Sequence, residues 1–157
     1  MISYSVEDVK LFMNQLLRSP LFDDWELREA KLHTLCRYTI NGSVNQAFLS
    51  DEEKESREHS YLLWEEMRPN MNHLIKGKRS PSLFHVVLAY PLSRIQEIQT
   101  DIVESLLLNI HFENGILTLI TGTSLKTFSM DRSFEQYWDG FLPQFFAEHG
   151  ILLTKSE

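Results

Sequence analysis

Cysteine is almost missing from this chain: Cys36 is the only one in 157 residues. No intrachain disulfide can form, and a lone thiol in an otherwise ordinary composition suits a reducing compartment, so a cytoplasmic protein is expected. Basic charge is in short supply as well. A formal charge of −7 favours solubility and disfavours non-specific binding to nucleic acid or anionic membrane, while leaving room for a local basic patch. No apolar run is long enough to span a bilayer. The opening MISYSVEDVK has neither a basic start nor an apolar core for export. Linkers, low-complexity tracts and internal repeats are absent, so one domain over 1–157 is the expectation. HExxH, HxxxH, CxxC and GxxxxGK[ST] spacings are missing too.

What is present is a set of structural signals. Asn114-Gly115 lies between two apolar runs, and both residues tolerate the positive φ of a type I′ turn. A two-residue loop there sets Glu113 opposite Ile116, Phe112 opposite Leu117, Ile110 opposite Leu119 and Leu108 opposite Thr121. Leu108, Ile110, Phe112, Leu117 and Leu119 then share one face, and a slip of one residue would turn all of them to solvent. The other face, with Asn109, His111, Glu113, Thr118 and Ile120, is mixed and partly wet. Gly122 allows a second reversal, and Leu125 to Met130 are expected to return as a third strand of a meander spanning about 105–130.

The rest of the chain supplies helices and further strands. Ser5 as N-cap opens an expected helix carrying Val6, Val9, Met13, Leu16 and Leu17, closed by Pro20. Leu27 to Ile40 reads as extended, with Leu32, Thr34, Cys36, Tyr38 and Ile40 on a core-facing side. Asn41-Gly42 then offers a hairpin turn whose faces match poorly, which calls for a bulge or a longer loop. Ser50 and Glu53 fit a capping box. Tyr61, Trp64, Met67, Met71, Leu74 and Ile75 mark a helix that Pro69 should kink or divide. Leu83 to Tyr90 reads as a central strand, followed by a short helix over 92–99. Phe134, Tyr137, Trp138, Phe141, Leu142, Phe145 and Phe146 form the stripe of a last helix, capped by Asp131 or Ser133, with a kink or break expected near 139–143. The tail from Thr154 is expected to fray. The fold class expected is α+β, a mostly antiparallel sheet packed by N-terminal, middle and C-terminal amphipathic helices.

Few residues carry chemistry. His111 and Glu113 share a strand face and His85 can lie on a neighbouring strand, but zinc needs three or four converging ligands, and surface strand residues explain them as well. Cys36 paired with His33 or His85 would make a nucleophile, except that this reading turns Cys36 to the core, where a thiol behaves as a small hydrophobe. Thr121-Gly122-Thr123-Ser124 with Lys126 has the look of a phosphate cradle without its spacing or helix, and a tight turn accounts for it. Lys76-Gly77-Lys78-Arg79 is the one concentrated basic segment. It can neutralise phosphates, and it equally suits the negative end of a helix. The charged run DEEKESREHS reads as a solvated face.

With YxINGxV, LIKGKRSP, NIHFENGILTLITGTSLKTFSMD and WDGF in view, the chain resembles, over nearly its full length, an uncharacterised domain family of clostridial-type bacteria. That resemblance implies no activity, cofactor or site residue. The succession of strand 83–90, short helix 92–99 and FENGILTLITGTSLKTFSM also resembles half of a sliding-clamp domain, with Val6 to Leu49 as a degenerate first half. This is fold analogy, and the helix at 51–75 and the terminal aromatic helix depart from it. The leading expectation is a non-enzymatic cytoplasmic binding or accessory domain with no cofactor, no metal and no catalytic residue; its partner is unknown, with a protein partner and a homo-oligomer both left open. The first alternative is a clamp-like protein meeting nucleic acid or a replication partner through Lys76, Lys78, Arg79 and Lys126. The second is a small enzyme with a site near His85, His111 and Glu113.

Overall fold

A computed structural model describes residues 1–95 and 102–156. Its frame is one antiparallel sheet of eight strands in the order β3-β2-β5-β6-β7-β1-β8, with β4 also paired to β2. The strands are β1 (Ser3–Val6), β2 (Glu26–His33), β3 (Arg37–Asn41), β4 (Leu62–Leu63), β5 (Leu83–Ala89), β6 (Val103–Glu113), β7 (Ile116–Leu125) and β8 (Leu153–Lys155). The helices are α1 (Val9–Arg18), α2 (Asp51–Ser56), α3 (Trp64–Ile75) and α4 (Ser133–Glu148). The fold is therefore α+β, as the sequence implied.

The β6–β7 hairpin forms in the expected register, Phe112 beside Leu117, Ile110 beside Leu119 and Leu108 beside Thr121. Asn114 and Gly115 take φ values of 54° and 76°, the positive pair a type I′ turn requires. Phe84, Val86 and Leu88 of the central strand join Leu108, Ile110, Leu117 and Leu119 in a core completed by Phe12 and Leu16 of α1, Trp64 and Met71 of α3, and Trp138, Leu142 and Phe146 of α4. Every long helix thus buries its stripe against the same side of the sheet. Glu29, Lys31, His85, Asn109, His111 and Thr118 line the opposite side and stay half-buried or exposed.

Several expectations are corrected. The N-terminal residues form β1 rather than the first turn of a helix, because Tyr4 and Val6 alternate into the core. Asp8, not Ser5, caps α1 by accepting the Leu11 N–H at 3.0 Å. β1 pairs with β7 as Ser3 beside Ile120 and Tyr4 beside Leu119, so it takes the edge that a strand over 125–130 would have used. Gly122 makes no reversal, since it lies within β7 opposite Leu107. Leu27 to Ile40 is not one strand: Thr34 N–H donates to the Cys36 carbonyl at 2.9 Å and turns the chain into β3. Cys36 consequently sits exposed at a hairpin tip instead of facing the core.

Asn41-Gly42 makes no hairpin either. A Cβ at Gly42 would lie 1.8 Å from the Leu27 carbonyl oxygen, so glycine is required where the chain crosses β2, and Ser43 then bridges Tyr61. Pro69 and Pro143 do not divide α3 and α4, each of which is a single helix; Arg132 holds the N-cap position of α4 without a side-chain cap bond, while Asp131 accepts the Ser133 N–H at 2.9 Å. Beyond Pro91 only a 3-10 turn over Leu92–Arg94 is seen; the expected helix through 99 extends outside the described residues. The tail does not fray at Thr154, because β8 pairs with β1.

One packing detail ties α1 to α3. The Leu16 carbonyl would bond the amide of residue 20, which is Pro20 and has no N–H. The buried Trp64 indole Nε1–H donates to it at 2.7 Å, satisfying an acceptor that the helix leaves open.

Candidate functional site

Between α1 and the end of α3 runs a groove of about 600 Å³. Helical spacing builds one wall. Val9, Met13 and Leu17 fall on one stripe of α1, and Lys10, Asn14 and Arg18 on the next, because positions four apart stack on one face. Asn72 and Ile75 of the last turn of α3 form the second wall, which the chain extends through Lys76, Lys78, Arg79 and Pro81. Phe112 of β6 closes the floor. Apolar side chains thus line the base while cations stand along the rim.

The charge of this groove is one-sided. Lys10, Arg18, Lys76, Lys78 and Arg79 line it without any carboxylate, so five of the chain's 15 lysines and arginines gather there. Among the described residues none of the five is ion-paired, whereas Arg28, Arg57, Arg68 and Arg94 each hold a carboxylate. Unpaired cations over an apolar floor create a positive potential in a place where burial of an apolar group is also favourable. Arginine adds planar, two-pronged donors suited to carboxylate or phosphate.

Of the sequence-derived residues, Lys76, Lys78 and Arg79 come together here. Lys126 does not join them. It follows β7 at the end where Leu125 pairs with Val103, about 30 Å along β6 from Phe112 at ~3.4 Å per residue. Met13 and Phe112 were read from sequence only as core positions, and Lys10 and Arg18 were not singled out; helical spacing places Lys10 and Arg18 on one stripe, but only packing brings that stripe to α3.

His85 and His111 neighbour each other across β5 and β6, ring centroids 5.5 Å apart. His111 Nε2 shares a hydrogen bond with Glu113 Oε2 at 3.2 Å. Burial lowers the His85 pKa below its ordinary value; nearby His111 pushes the same way and a bond with Asn109 opposes it. All three lie on the sheet face that no long helix covers. No group of three metal-ligating side chains occurs among the described residues. Thr121, Gly122, Thr123 and Ser124 belong to β7 and cannot act as a loop; buried Thr121 accepts the Ile2 N–H at 2.8 Å and bonds the Asp139 carboxylate.

A second hollow, about 580 Å³, opens on the uncovered sheet face between Arg28, Asn41, Tyr61, Val87 and Leu107. Its cation is already engaged. Arg28 donates to Glu26 and to Ser105 Oγ at 3.1 and 2.9 Å and lies 4.2 Å from the centre of the Tyr61 ring. The groove beside α1 differs in that its five cations hold no ion pair among the described residues.

A family model described as a family of unknown function (DUF5721) matches residues 15–153. No curated protein and no solved structure matches the chain. No helix among the described residues is long and apolar enough to cross a membrane.

Proposed function

Because the chain belongs to DUF5721, a family of unknown function, we propose its role from the groove itself: a non-enzymatic binding domain that receives an acidic protein segment carrying an apolar side chain. The observation that carries this reading is the pairing of five cations, none ion-paired among the described residues, with a floor of Met13, Leu17, Ile75 and Phe112. Carboxylates at the rim would meet Lys78 and Arg79, and an aromatic or aliphatic group would displace water from the floor. A cytoplasmic setting belongs to the same proposal, supported by a single thiol that is exposed at Cys36.

Nucleic acid is the rival occupant, favoured by the convergence of Lys76, Lys78 and Arg79 and weakened by the distance of Lys126 and the overall −7 charge. A clamp-like function would fall under that rival. Panning a displayed library of random short peptides on the protein discriminates between them. Enriched sequences combining acidic and aromatic residues, lost with Lys78→Glu/Arg79→Glu, are expected. No such enrichment overturns the proposal. Saturable single-stranded DNA binding lost with the same double variant would transfer the groove to nucleic acid.

A further inference from the structure

Another part of this molecule has the chemistry the groove would take. Phe48 is 86% exposed, so its ring is open to a partner's apolar surface. Three residues later begins α2, none of whose residues is buried, with acids at Asp51, Glu52, Glu53 and Glu55. Glu53 is occupied by its capping box, where bonds from Ser50 hold its carboxyl below the usual range. Asp51, Glu52 and Glu55 remain, and the spacing of one turn sets Asp51 and Glu52 beside Glu55 on one side of the helix. The segment is an apolar knob followed by a cluster of three outward carboxylates.

It cannot reach the groove of its own chain. The segment leaves the sheet at Gly42, whose N–H donates to the Arg28 carbonyl at 2.9 Å, and is pinned on its return by Arg57 to Glu66 in the first turn of α3. The groove lies at the other end of β2, where Ser82 N–H bonds the His33 carbonyl at 2.9 Å. Leu27 to His33 spans about 20 Å of strand. Charge complementarity and an exposed apolar anchor therefore have to be satisfied between molecules.

We infer that a second copy of this chain fills the groove, Phe48 entering above Met13 and Phe112 while Asp51, Glu52 and Glu55 face Lys78, Arg79 and their neighbours. The inference rests on the reading of the groove as a site for an acidic, apolar segment. Knob and groove are different patches of one surface, so contact is heterologous, or reciprocal when two copies exchange segments across a two-fold axis. Between exposed charges the association is salt-sensitive, since screening reaches ~10 Å at 0.1 M.

Sedimentation of the full chain tests this. The weight-average mass of the wild type should rise with concentration at low salt and fall back at high salt. Phe48→Ser removes the knob, and Lys78→Glu/Arg79→Glu blocks the groove. Both changes are at exposed positions, and far-UV circular dichroism should be unchanged. Each variant alone should associate at least ~10-fold more weakly than wild type. Mixed together they should give a one-to-one pair, because the groove-blocked chain keeps its knob and the knobless chain keeps its groove. A wild type that stays monomeric at every concentration overturns the inference, as does a mixture that forms no pair. If acidic peptides bind the groove while the wild type stays monomeric, the binding-domain reading stands and self-association alone is rejected.

Discussion

Gly42→Ala places a methyl group against the strand that the chain crosses on leaving β3. The new Cβ would sit 1.8 Å from the Leu27 oxygen, 2.6 Å from the Leu27 carbonyl carbon and 3.0 Å from the Arg28 oxygen, where ordinary contact begins at 3.4 Å. Relief needs a displacement of roughly 1.5 Å, and all three neighbours are backbone atoms rather than side chains able to swing aside. Two hydrogen bonds hold the crossing: Gly42 N–H to the Arg28 carbonyl at 2.9 Å and Leu62 N–H to the Gly42 carbonyl at 2.8 Å. Losing both costs ~1 kcal/mol each, and leaving a buried amide unpaired adds ~1–3 kcal/mol, so about 3–5 kcal/mol is expected. Equilibrium urea unfolding followed by tryptophan fluorescence measures it. At a slope of ~2 kcal/mol/M the midpoint falls by about 2 M. Gly140→Ala is the control, because nothing lies within 4 Å of its added Cβ and alanine improves helix propensity by up to ~1 kcal/mol. A Gly42→Ala loss below ~1 kcal/mol would refute the steric reasoning.

Two further substitutions probe other parts of the structure. Trp64→Phe keeps the apolar volume near α1 but removes the donor to the Leu16 carbonyl; a loss of ~1–3 kcal/mol in the same unfolding assay is expected, and an unchanged midpoint would show that the carbonyl finds another donor. His85, flanked by Lys31, His111 and Glu29, has a folded-state pKa below the ordinary 6.5. The unfolded chain therefore binds more protons on the acid side, and the stability contributed by neutral His85 is lost as pH falls from 6.5 through the folded-state value. His85→Gln should flatten that part of the pH–stability curve, and an equally steep decline in the variant would assign the effect elsewhere.

Local signals in the chain were legible where turn chemistry and side-chain period agreed. Asn114-Gly115 and the alternation on either side specify the register from Leu108 to Thr121, though not the continuation of β7 through Gly122, and Ser50 with Glu53 specifies the start of α2. The aromatic spacing of α4 outweighs Pro143, just as packing on the core outweighs Pro69. Failures came where a distant partner decides the outcome. Ser5-Val6-Glu7-Asp8 reads as a helix start until β7 offers Tyr4 and Val6 an edge to pair with. Cys36 alternates with Leu32 on paper, but a hairpin turn intervenes. The basic half of the groove was visible as Lys76, Lys78 and Arg79; its apolar floor and the cations of α1 were not, because those residues meet only after α1 docks on α3.

The place of β1 between β7 and β8 also bears on how the protein is made. Ser3 finds its partner in Ile120 and Tyr4 finds another in Lys155, so β1 has to wait until β7 and β8 have been made before it pairs. Closing so large a loop costs entropy that no nearby contact offsets, which makes this step slow. Until β7 emerges, Tyr4 and Val6 stay uncovered, and a nascent chain stalled before residue 116 is where misassembly and chaperone capture should concentrate.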